Sequence, residues 1–194
     1  MQSIQKTFES ELLEQFSDFK NGDAYLVLVK PGDFFATRNA LIKHLILDLK
    51  LKGIYSSSNK PSTVIKRELE MMGIDTSKHF FVDFISRENN LAIQANNVFY
   101  LRSPTAFTSA AILTVKLSKN FKFDFLFDDS LTTSLIYNRP RRIQEFIHFV
   151  LGKIELLNAR AVLIALDDQK TREMVMEISQ FFTKIIVTPP ENKF

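Results

Sequence analysis

Short, mostly apolar runs alternate along this chain with longer segments in which apolar residues recur at helical spacing. Residues 24–29 (AYLVLV) are apolar throughout, as expected of a strand buried on both faces. Residues 79–85, 123–127, 161–165 and 184–187 read the same way, and shorter or weaker strands fall at 54–56 and 97–101. Helical patterns lie between them. Over 37–50, Ala40, Leu41, Leu45, Ile46 and Leu49 share one stripe. Pro61 opens a helix that runs to about Met72, ahead of Gly73. Further helices are predicted over 104–117, 139–158 and 170–182. At the N-terminus, Ile4, Phe8, Leu12, Leu13 and Phe16 make a stripe over residues 3–18, with Ser3 as its cap. Residues 189–194 are expected to fray.

Strands that alternate with helices predict an α/β fold, with a mostly parallel sheet covered on both faces and right-handed crossovers. The segments Ala24–Val29, Phe123–Phe127 and Ala161–Ala165 are expected to be neighbouring central strands, since their apolar character suits burial on both faces. No repeat or linker divides the chain. The expected organisation is an N-terminal amphipathic helical extension, residues 1–22, followed by one domain, residues 23–194. Helix 139–158 carries more apolar residues than one stripe needs. Ile143, Phe146, Ile147, Val150, Ile154 and Leu157 face inward, leaving Phe149, Leu151 and Leu156. Either another segment, such as the N-terminal helix, covers these three, or they form an exposed binding patch.

Composition narrows the chemistry. Among 194 residues there is no cysteine, which excludes disulfides, thiolate metal sites and thiol nucleophiles. No apolar run approaches the roughly 20 residues that span a bilayer, and the N-terminal stretch lacks an apolar signal core. A soluble cytoplasmic protein without membrane contact is expected. The formal net charge of +3 is too mild to indicate nucleic acid by itself. Arg139, Arg141 and Arg142 cluster at the start of the long helix and read as a solvated face or an intersubunit contact; with Phe149 they are the candidate interface residues. His44, His79 and His148 are scattered without metal-ligand spacing, so no metal site is expected. Phenylalanine is abundant, 19 residues, which suits an aromatic core.

In a parallel α/β sheet, ligands bind beyond the carboxyl ends of the strands. A phosphate-binding loop after the first strand would read GxxxxGK[ST]. Its glycines let backbone N–H groups approach phosphate, its lysine offsets charge and its hydroxyl holds Mg²⁺. Here the loop reads Lys30-Pro31-Gly32-Asp33-Phe34-Phe35-Ala36-Thr37. Aligned on Thr37, the lysine position holds Ala36, and Lys30 and Phe35 stand at the two glycine positions. Gly32 is the one glycine left, and Thr37 alone keeps its motif role. Residues 125–130 (FLFDDS) place Asp129 at the end of an apolar strand, where a Mg²⁺-orienting carboxylate would sit, although a strand commonly ends in Asp as the cap of the next helix.

The stretch Thr37–Ser86, and then Phe123–Val187 with its Asp129-Ser130-Leu131-Thr132-Thr133 run, resembles the KaiC-like and RadA/RecA-like ATPases, in particular the archaeal KaiC-like group. The resemblance implies a RecA-like three-layer α/β/α fold in which the strand of residues 24–29 lies beside that of residues 123–127. It also implies a catalytic glutamate pair just before Pro61, where this chain has Ser58 and Asn59, neither of which is a general base at neutral pH. The expectation is a pseudo-ATPase without cofactor that acts through a protein partner or self-association. The alternatives are a switch that binds ATP and Mg²⁺ weakly with little hydrolysis, and a nucleic-acid-associated module.

Overall fold

Side-chain alternation along seven parallel strands sorts the apolar residues into two separate cores. The computed structural model describes residues 7–188. The strands are β1 Ala24–Val29, β2 Gly53–Ser57, β3 Phe80–Asp83, β4 Val98–Tyr100, β5 Phe125–Asp129, β6 Arg160–Leu166 and β7 Lys184–Val187. They pair in the order β4-β3-β2-β5-β6-β1-β7, every pair parallel. Residues Leu26, Ile54, Leu126 and Leu163 point into one core; Val27, Tyr55, Phe127 and Ile164 point into the other. Each central strand is thus apolar on both faces, as its sequence required.

The helices divide the same way. On one face lie α1 (Phe8–Glu14), α2 (Phe34–Lys43, prolonged by a wider π-type turn over His44–Asp48) and α3 (Ser62–Met71). On the other lie α4 (Phe107–Asn120), α5 (Leu131–Tyr137), α6 (Pro140–Leu156) and α7 (Gln169–Ile178). The fold is therefore a three-layer α/β/α sandwich. Among the described residues, no helix is long and apolar enough to cross a membrane.

Several expectations shift. The strands of residues 24–29 and 125–129 are not adjacent: β6 lies between them and pairs with both. The chain returns from β5 through α5 and α6 directly into the neighbouring slot, while the connection from β6 through α7 passes over β1. Strand β5 runs two residues further than its apolar stretch, to Asp129. Helix α5 has no counterpart in the periodicity. Its signal is Ser130, whose hydroxyl accepts from the Thr133 N–H; Ser130, not Asp129, is the cap.

From Phe8 onward the N-terminal segment packs against the core of its face. Helix α1 is short, capped by Thr7, and beyond it Phe16 and Phe19 are buried on Tyr25, with ring centroids 5.2 and 4.5 Å away. The expected cap at Ser3 and the tail from Pro189 lie outside the described residues. Helix α1 also sits on the face opposite α6, so it does not cover that helix's surplus apolar residues. Leu151 is buried in the core of its own face, Phe149 is 38% exposed and Leu156 is 79% exposed.

Asp83, at the end of β3, anchors α3, whose Pro61 cap offers no side-chain bond. Its carboxylate accepts from the backbone N–H groups of Ser62, Ile85 and Ser86 and from the Ser86 hydroxyl. Burial pushes this carboxyl up, but those bonds outweigh it and hold it below the ordinary range.

Gly53 opens β2 against β5, where strand backbones approach closely. A Cβ built there would lie 2.5 Å from the Phe125 carbonyl oxygen. Replacing Gly53 with valine is expected to cost about 2–3 kcal/mol through overpacking against rigid backbone. Urea denaturation measures this, and a change below about 0.5 kcal/mol would mean that the strands separate freely at this point.

Candidate functional site

Strands β1 and β2 exit toward α2 and α3 on one face, whereas β5 and β6 exit toward α5 and α7 on the other. The boundary between β2 and β5 is therefore a topological switch point, where an α/β sheet opens its binding crevice. Of the residues singled out from the sequence, Ser58 and Asn59 follow β2 and Asp129 ends β5 at this boundary, while Thr37 lies on α2 next to Arg38, whose side chain reaches Asp129.

The loop after β1 is tight. Residues Pro31–Asp33 form a single 3₁₀ turn, closed by the Asp33 N–H to the Lys30 carbonyl, and α2 begins at Phe34. Lys30 is half-buried and its N–H donates to the Thr188 hydroxyl. Gly32 is exposed and does not use the left-handed conformation that glycine permits. Phe34 is buried, whereas Phe35 and Ala36 are exposed on the first turn of the helix. Thr37 is fully buried, and its hydroxyl has no hydrogen-bond partner.

The crevice itself is stitched directly. The Ser58 N–H donates to the Asp129 carbonyl at 2.9 Å, the Ser58 hydroxyl donates to the Ser130 carbonyl at 3.0 Å, and the Ser130 N–H donates back to that hydroxyl at 3.3 Å. The Asp129–Ser130 peptide is cis. Asn59 is exposed.

Asp129 is wholly buried. Its Oδ2 accepts from the Tyr55 hydroxyl at 2.6 Å and lies 3.8 Å from Nη1 of Arg38, while Oδ1 has no partner. Arg38 follows Thr37 on α2; its side chain is only 3% exposed. One guanidinium nitrogen donates to Glu68 at 2.6 Å and to Asn39 at 2.8 Å. Glu68, on α3, also receives Lys60 at 2.6 Å. The Phe35 ring lids the group, with the Lys60 ammonium 4.4 Å and the Arg38 guanidinium carbon 5.6 Å from its centroid.

Two of these acids respond in opposite directions. Burial pushes Glu68 up, but the hydrogen bonds from Lys60 and Arg38 prevail and hold it below the usual carboxylate range. Burial pushes Asp129 up and prevails, although the Tyr55 hydrogen bond and the Arg38 charge pull it down. Tyr55 is raised well above its ordinary value by burial and then by Asp129, so it stays a neutral donor.

Asp128 points to the other face of β5. It looks into a mainly apolar cavity beneath α4, α5 and α6, in which water-sized spheres can centre over about 40 Å³. Its hydrogen-bond partner is the Ser56 hydroxyl at 2.9 Å. Burial is the main reason its carboxyl is pushed up to about 7.

Sequence reasoning missed Arg38, Tyr55, Lys60 and Glu68. A signal for Arg38 and Glu68 was present: each is a charged residue on the apolar side of its helix. The candidate interface residues lie elsewhere. Arg139, Arg141 and Arg142 are exposed at the start of α6, beside Ile136 and Tyr137, which are 70% and 52% exposed; Arg141 pairs with Glu145. Phe149 sits about two turns further along the same helix, with Lys153 over its ring. The histidines are absorbed structurally: His44 bonds Asp48, His79 accepts the Gly53 N–H and His148 packs on Phe181.

No sequence-family profile matches the chain, and no curated protein matches it. Among solved structures it is similar to a KaiC-like protein, PH0186, from the hyperthermophilic archaeon Pyrococcus horikoshii OT3. That match has a TM-score of 0.61 at 13% identity and covers 86% of this chain and 71% of the other. The RecA-like three-layer α/β/α fold is thereby shared.

Asp128 sets a pH dependence. A carboxyl raised in the folded state adds stability in full below its unfolded value of about 3.9, and loses it as pH climbs toward the folded value. Between about pH 4 and pH 7, wild type should lose roughly 1 kcal/mol per pH unit relative to an Asp128→Asn variant, and the difference should level off above neutrality. Urea midpoints across that range test this; a constant difference would place Asp128 in water.

Proposed function

We propose that this chain is a catalytically silent KaiC/RecA-like domain that acts through protein contacts, as a regulatory or structural subunit. The observation that carries this reading is the crevice between β2 and β5. Ser58 bonds directly across it to Asp129 and Ser130, and the Asp129 carboxylate already has Arg38 beside it.

Phosphoryl transfer depends on positioned donors and on cations that offset developing charge. A turn of three residues, Pro31–Asp33, leaves little backbone to cradle a triphosphate. Ala36 presents a methyl group to solvent where the resemblance expects a lysine ammonium. Ser58 and Asn59 supply no base. Mg²⁺ coordinated by Thr37 and Asp129 would lie against a guanidinium, so the residues present do not fit a bound Mg-ATP.

A domain of this kind works through its surface. Ile136 and Tyr137 beside Arg139 and Arg142 offer an apolar and basic corner, and Phe149 and Leu156 project from α6. The second reading, a weak nucleotide switch, draws on the buried Thr37 hydroxyl and Asp129 Oδ1, which are left without partners.

Titration calorimetry with Mg-ATP is expected to show no heat of binding at micromolar nucleotide, and purified protein should release no phosphate above that of an Asp129→Ala control. A micromolar Kd would promote the switch reading, and Asp129-dependent turnover would defeat the proposal. On the surface side, Phe149→Asp should fold normally, because that residue is 38% exposed. Light scattering should show it losing a self-association that wild type displays. A wild-type monomer that binds no other chain in cross-linking from its native source would leave the contact role without support.

A further inference from the structure

The misfit between this crevice and a metal-nucleotide has a specific cause. We infer that Arg38 is a built-in cation: its guanidinium takes the place beside Asp129 that a divalent metal would need, and it holds the site in one state regardless of nucleotide. This rests on reading the crevice as a former nucleotide site.

The charges support it. Arg38 and Lys60 face Glu68 and Asp129, two cations against two anions, within contacts of 2.6, 2.6 and 3.8 Å. The balance is struck where water is largely excluded, since Arg38 and Asp129 side chains are 3% and 0% exposed. A divalent ion beside Asp129 would add charge to a neutral group at its enclosed end. It would have to approach Arg38 Nη1 without the screening that water gives.

The same atoms show what Arg38 suppresses. Asp129 Oδ1 and the Thr37 hydroxyl are buried and have no hydrogen-bond partner, and Arg38 Nη1 lacks one too. Two hard oxygen donors left open suit a cation that keeps several waters of its own. Without Arg38 the group carries one net negative charge. The arginine therefore ties α2 to α3 through Glu68 and to β5 through Asp129, which are the elements a bound nucleotide would otherwise draw together.

The test uses Mn²⁺ alone, read by electron paramagnetic resonance and by thermal unfolding. Wild type should neither bind Mn²⁺ nor gain Tm from it. Arg38→Met should lose about 10 °C in Tm, because a buried charge loses its partner, and should recover at least half of that loss in millimolar Mn²⁺. Adding Asp129→Asn to Arg38→Met should restore Tm without metal and abolish the Mn²⁺ signal. Mn²⁺ binding by wild type, or an Arg38→Met variant indifferent to Mn²⁺, would overturn the inference. If Arg38→Met does not fold, the double variant decides: its folding supports the charge pairing, and equal failure refutes it. Mg-ATP binding by wild type without Mn²⁺ binding would sink only the proposed function; Mn²⁺ binding without ATP binding would sink only this inference.

Discussion

Burial of the Asp129 carboxylate at the end of a central strand obliges much of what surrounds it. Removing a carboxylate from water costs several kcal/mol unless neighbours replace the solvent. Tyr55, one strand away on the same face, supplies a hydroxyl at 2.6 Å. Arg38 supplies charge, but a buried guanidinium needs an anion of its own, and Glu68 on α3 provides it. Glu68 in turn takes Lys60, and Phe35 covers both cations. Helix α3 is held in position by Asp83, whose carboxylate bonds the Ser62 N–H at the helix start. Each group answers the desolvation of the one before, and the chain of dependence runs from β5 through β2, α2 and α3 to the end of β3.

Adjacent residues of β5 show how far the environment decides chemistry. Asp128 and Asp129 are identical in type and differ only in the face they occupy. Asp129 enters the face built by α2 and α3, where Tyr55 and Arg38 reach it. Asp128 enters the face built by α4, α5 and α6, where no cation lines the cavity and Ser56 is the hydrogen-bond donor. Its carboxyl is raised to about 7 because burial penalises its charge and the Ser56 hydrogen bond offsets only part of that. The strand's period of two turns one dipeptide into a buried ionic network on one side and an isolated acid on the other.

The abundant phenylalanine also divides by environment. Phe81, Phe125 and Phe127 fill the core beneath α2 and α3, and Phe107 stacks on Phe146 at 4.5 Å between α4 and α6. Phe16 and Phe19 fasten the N-terminal segment to Tyr25. Phe35 stays exposed over a cation pair. Aromatic mass thus closes both cores without cysteine or tryptophan.

Much of the architecture was written locally. Apolar runs such as 24–29 and 161–165 can be satisfied only by strands buried on both faces, and helical stripes between them fix an α/β sandwich with a parallel sheet. The candidate crevice was legible to the extent that Thr37, Ser58 and Asp129 each sit at the end of a readable element. Strand order was not, because periodicity records whether a residue is buried and not which neighbour buries it; hence β6 lies between β1 and β5. The N-terminal helix packs into the core because Phe16 and Phe19 have rings to meet only once β1 is in place. Arg38, Tyr55, Lys60 and Glu68 come from four separate segments; Arg38 and Glu68 stand out locally as charges on apolar helix sides, but nothing within a segment shows that the four meet. Residue type and spacing determined the elements and where they end. Only the tertiary structure decided that a helix arginine would meet a strand-end aspartate, since the energy of a buried charge depends on groups that the sheet order brings within a few ångströms.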